Sequence, residues 1–70
     1  MPVITVELFP GRTPDTKREL IKALTDSYVN VCGGTAQGIT ILLKEVDPVN
    51  WGSAGRPYAD VIAENAHKSS

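Results

Sequence analysis

With a single cysteine, Cys32, the chain has no intramolecular disulfide. Its one histidine, His67, stands in a polar tail without the Cys/His or paired-His spacing that holds a metal, so no metal is expected. Neither sign of charge dominates: seven Lys and Arg face eight Asp and Glu, and the basic residues are scattered, which argues against nucleic acid as a partner. No apolar run approaches the roughly 18 residues of a membrane span. The first eight residues lack the basic and apolar regions of a secretory leader. A soluble cytoplasmic protein with a reduced thiol is the expectation.

Length sets the next constraint. Seventy residues are read as one domain, 1–70, and a chain of that size buries only about 60% of the surface its unfolded form exposes. Small domains are usually supported by disulfides, a metal or self-association. Composition has removed the first two, so a homo-oligomer is expected.

The fold class read from the pattern is α+β. Val3 to Leu8 alternates, with Ile4, Val6 and Leu8 on one face and Val3, Thr5 and Glu7 on the other, as in a strand with unlike faces. Phe9-Pro10-Gly11-Arg12 breaks the alternation. Thr13 then offers a capping hydroxyl, Pro14 suits the first helical position and Asp15 complements the helix dipole. Leu20, Ile21, Leu24, Tyr28 and Val31 recur at steps of three and four, predicting an apolar stripe on a helix of four to five turns. Asp15, Arg18, Glu19, Lys22 and Asp26 form its charged, solvated face. Gly33-Gly34 stops it, and Cys32 just before the stop is expected to be semi-buried and unreactive.

Ile39 to Val46 reads as a second strand, apolar on both faces as a buried strand would be. Strand, helix and strand make a β-α-β unit with parallel strands and a right-handed crossover. Two strands and one helix cannot close a core, so a second copy is expected to complete the sheet. From Asp47 to Pro57 the density of Pro and Gly predicts a turn-rich segment or a short hairpin around Trp51. Tyr58 to Ala66 is read as a short helix, and 67–70 as a frayed tail.

Pro2 is the residue with the most chemical content. An initiator Met followed by a small residue is commonly removed, and the mature chain is expected to begin at Pro2. Every other proline nitrogen here is a tertiary amide, whereas a terminal Pro2 is a secondary amine able to accept a proton.

Pro2, the first strand, the turn Pro10-Gly11-Arg12-Thr13, a capped helix, a second strand and an aromatic followed by glycine together resemble the 4-oxalocrotonate tautomerase family over roughly residues 2 to 57. The resemblance implies a β-α-β subunit assembling as dimers and commonly as a hexamer, with active sites built from more than one chain. It implies cofactor-free keto–enol tautomerisation of 2-oxo or 2-hydroxy carboxylic acids. Pro2 matches the general base, Arg12 the arginine that holds the substrate carboxylate, and Trp51 an aromatic wall. Thr40 stands where the best-known tautomerases carry a second arginine. Arg56 or Lys44 is then the alternative source of positive charge, and slow or altered activity is expected.

A base works best near the ambient pH. An apolar pocket and a nearby cation both favour the neutral amine, at about 1.4 kcal/mol per pH unit. Neutral Pro2 would move the proton, while Arg12 would grip the carboxylate as a bidentate partner. The alternatives in the same fold are a dehalogenase, a decarboxylase, or an inactive subunit that self-assembles or pairs with an active relative in a hetero-oligomer.

Overall fold

The alternating segment forms β1, Val3–Leu8, and its Ile4/Val6/Leu8 face turns inward while Val3, Thr5 and Glu7 stay exposed. The structure, a computed structural model, describes residues 2–68, with the backbone alone for 67 and 68. The expected removal of Met1 and the expected fraying of 69–70 concern positions outside the described residues.

Helix α1 spans Pro14–Cys32, and its ends are set locally. The Thr13 hydroxyl accepts the Thr16 amide at 3.2 Å, and Pro14 follows as the first helical residue. At the other end Gly33 has a φ of +83° and its amide donates to the Val29 carbonyl at 2.9 Å. Glycine reaches that conformation without the steric cost other residues meet. Thr13→Ala is expected to cost about 1 kcal/mol, read as a lower denaturant midpoint at unchanged slope.

Strand β2, Thr40–Glu45, pairs parallel with β1 in a register that runs from Val3 opposite Thr40 to Leu8 opposite Glu45. This is the expected β-α-β unit, with both edges of the two-stranded sheet open. Lys17 of α1 ties down the far end of β2 through Glu45 at 2.8 Å. The charged face of α1 is laced by Asp15–Arg18 and by Lys22–Asp26 at 2.6 Å. Asp26 bonds to the Lys22 ammonium, and the bond and its charge raise that group's pKa. Both pairs are exposed and contribute little to stability.

Beyond a 3-10 turn at Pro48–Asn50, the short hairpin is present: β3, Gly52–Ser53, pairs antiparallel with β4, Arg56–Pro57. Its two central residues, Ala54 and Gly55, both have positive φ, as a tight hairpin with the sheet's twist requires. Helix α2, Tyr58–Lys68, is longer than expected and includes two positions assigned to the frayed tail. Its entry is anchored by Tyr58, whose amide donates to the Trp51 carbonyl at 2.7 Å and whose ring stacks on Phe9.

Burial departs from the sequence reading in one consistent direction. Leu8, 9% exposed, is the sole buried hydrophobic residue among the described residues, and none of their side chains is fully buried. Strand β2 is not covered on both faces: Thr40, Leu42 and Lys44 are exposed. Of the α1 stripe, Leu20, Leu24 and Tyr28 are half-buried, but Ile21 is 38% and Val31 81% exposed. A 19-residue helix is about 28 Å long against about 20 Å for a six-residue strand, so its last turn overhangs the sheet. Cys32, on that overhang, is exposed rather than semi-buried. The radius of gyration, 16.1 Å, exceeds the roughly 11 Å of a compact chain this long. One chain by itself leaves a sheet face open, with Val3 57% and Leu42 43% exposed.

Candidate functional site

The residues singled out in the sequence fall into two groups at opposite ends of β1. Pro2 and Thr40 share one end. The Pro2 carbonyl accepts the Thr40 amide at 3.1 Å, so the register that pairs the strands also sets these two residues side by side. Half-buried Pro2 lines a cavity of about 290 Å³ with Tyr28, Cys32, Thr35, Ile39 and the glycines 33, 34 and 38. The C-terminal turn of α1 and its glycine stop therefore form one wall. Among the described residues, no charged side chain lines this cavity.

Arg12 and Trp51 occupy the other end. The Arg12 guanidinium donates through Nη1 to the Phe9 carbonyl at 3.0 Å, which holds it against the turn that leaves β1. A guanidinium has five N–H groups, so most of its donors remain for a ligand. Trp51 meets Phe9 edge to face at 4.6 Å between ring centroids, and Tyr58 stacks on the same ring at 5.2 Å. Phe9 is thus the centre of an aromatic cluster beside Arg12. In the sequence Phe9 stands out only as part of the break after the strand, and its place directly before Pro10-Gly11 is the available signal. A second cavity, about 270 Å³, lies between Trp51, Gly52, Asn50, Val46 and Glu7.

The length of β1, about 20 Å for six residues, separates these groups within one chain. Pro2 is not brought to its own Arg12 or Trp51. Arg56 pairs with Glu64 of α2 at 2.9 Å, and the bond to Glu64 and its charge hold the guanidinium above its ordinary pKa. Lys44 lies on the open sheet face, in register with Glu7. Tyr28, Cys32 and Thr35 at the Pro2 cavity were not singled out as site residues, because their approach to Pro2 depends on the helix folding back over the sheet. Among the described residues no group of three or more His, Cys, Asp or Glu is placed to hold a metal ion.

A family model described as "Tautomerase enzyme" matches residues 2–61, so the match reaches from the Pro2 cavity through the hairpin to the first turn of α2. A probable tautomerase of Ralstonia nicotianae is 39% identical over 57 residues, 81% of each chain. Among solved structures, TomN, a 4-oxalocrotonate tautomerase homologue of the tomaymycin biosynthetic pathway, aligns with a TM-score of 0.85 at 31% identity, covering 89% of this chain and 95% of its own. DmpI from Helicobacter pylori aligns with a TM-score of 0.79 at 31% identity, covering 84% and 98%.

Proposed function

Because this chain belongs to the tautomerase family, we propose that it is a cofactor-independent isomerase of 2-oxo or enolic carboxylic acids whose general base is the amino-terminal nitrogen of Pro2, freed by removal of Met1. The supporting observation is Pro2's position, half-buried in a cavity that no charged side chain lines among the described residues. Such a setting disfavours the protonated amine.

The functional unit is a multi-chain assembly of one-domain subunits. One chain supplies Pro2; a neighbour supplies Arg12 and Trp51, since the two groups lie a strand's length apart in a single subunit. Assembly also covers the open sheet face that leaves Val3 and Leu42 exposed. In the assembled site Arg12 holds the substrate carboxylate, Trp51 walls off water, and Pro2 removes the enol proton and returns it to carbon. The electron pair of the O–H bond becomes the carbonyl, and the enol C=C pair takes the proton. Arg56, committed to Glu64, serves the hairpin and α2 instead.

A second reading, a subunit that completes the site of an active relative, is favoured by uncharged Thr40 at the position beside Pro2. One experiment separates the two. Intact mass reports whether the chain begins at Pro2, and ultraviolet assay follows ketonisation of phenylenolpyruvate. Turnover above buffer by the processed protein supports the enzyme; none overturns it in favour of the partner subunit. Light scattering is expected to give a multiple of the 7.5 kDa chain mass, and the melting temperature to rise with protein concentration.

A further inference from the structure

We infer that the Pro2 site selects monocarboxylates with an uncharged distal end and rejects dicarboxylates, an inference that rests on the isomerase reading above. Three independent features lead there. First, the cavity around Pro2 is walled by Tyr28, Cys32, Thr35, Ile39 and three glycines, which offer hydroxyls and apolar surface but no cation. Second, that wall includes the C-terminal turn of α1, where the helix dipole is negative, and no basic residue lies in the last turn to offset it.

Third, most of the described cationic side chains already have a carboxylate neighbour. Lys17 pairs with Glu45, Arg18 with Asp15, Lys22 with Asp26 and Arg56 with Glu64. Among the described side chains, Arg12 and Lys44 are the cations without a carboxylate partner. Lys44 stands four residues along β2 from Thr40, about 13 Å away, with Glu7 as its registered neighbour on the same face. An assembly of identical chains repeats this inventory, so a neighbour brings Arg12 and no further uncommitted guanidinium. One carboxylate therefore finds a bidentate partner. A second, lodged toward Tyr28 and the end of α1, would face the negative end of the helix dipole with no cation in return.

Two acids with the same six-carbon diene isolate the effect: sorbate has one carboxylate and trans,trans-muconate has two. Binding is measured by calorimetry on the assembled protein and by quenching of Trp51, the single tryptophan. Sorbate is expected to bind at least tenfold more tightly than muconate, and kcat/KM for phenylenolpyruvate to exceed that for 2-hydroxymuconate by at least tenfold. Thr35→Arg, which puts a cation into the wall of the Pro2 cavity at an exposed position, is expected to tighten muconate at least tenfold and narrow the gap. Muconate binding as tightly as sorbate to the wild type, or binding of neither acid, overturns the inference. The two proposals fail separately. If sorbate is preferred but no enol is turned over, the isomerase reading falls and the ligand class stands. Equal, Pro2-dependent turnover of both enols has the reverse meaning.

Discussion

Pro2→Ala is expected to lower kcat by about 10²- to 10⁴-fold, the usual contribution of a positioned general base. The variant also tests ring placement, because alanine at the terminus still presents an amine, but one without the pyrrolidine that fills the cavity shared with Tyr28 and Ile39. A second variant removes the base outright: one residue retained in front of Pro2 converts its nitrogen to a tertiary amide with no proton affinity at neutral pH. That chain should be at least as impaired as Pro2→Ala. Since Pro2 acts only when neutral, kcat/KM should rise with pH through the pKa of the amine and level off above it. An extended chain with wild-type turnover, or a profile that falls over that range, would remove Pro2 from the chemistry. Circular dichroism should be unchanged in both variants, because the Pro2 carbonyl, which accepts the Thr40 amide, survives each substitution.

What could be read in advance follows how local each determinant is. Helix α1 was legible at both ends because Thr13, Pro14 and Gly33 act on neighbours within one turn. Strand β1 was legible because its alternation depends on the side chains of one segment. Burial was less so: β2 looks like an enclosed strand, yet Leu42 and Lys44 are exposed in the single chain. Its apolar composition answers to whatever covers the sheet, and a sequence does not say where that cover comes from. Val31 fits the helical stripe and Cys32 follows it, but both overhang the sheet, which only the relative lengths of helix and strand decide. At the site, Pro2 stands out by its own chemistry, whereas Arg12 and Trp51 are marked only by the family resemblance. Their division between two ends of β1 follows from strand length, whereas the pairing of Pro2 with Thr40 needed the parallel register.

Arg12→Ala is expected to reduce kcat/KM by about 10²-fold, equivalent to about 3 kcal/mol, with most of the change in KM. Arg12→Lys should recover part of the loss, since it keeps the charge but not the planar fork that matches a carboxylate. Stability should fall by less than about 1 kcal/mol, because the hydrogen bond removed is the exposed one to the Phe9 carbonyl. Mixing gives the sharper result. In the proposed assembly, where one chain's own Pro2 and Arg12 lie a strand apart, each complete site would draw on two subunits. Pro2→Ala chains assembled with Arg12→Ala chains then regenerate intact sites from the unaltered Pro2 of one and the unaltered Arg12 of the other. Random assembly at equal amounts should restore about a quarter of the wild-type sites, although each variant alone is nearly inactive. A site contained within one subunit would gain nothing from mixing, so a flat response across all mixing ratios would show that Arg12 does not act on a neighbour's Pro2.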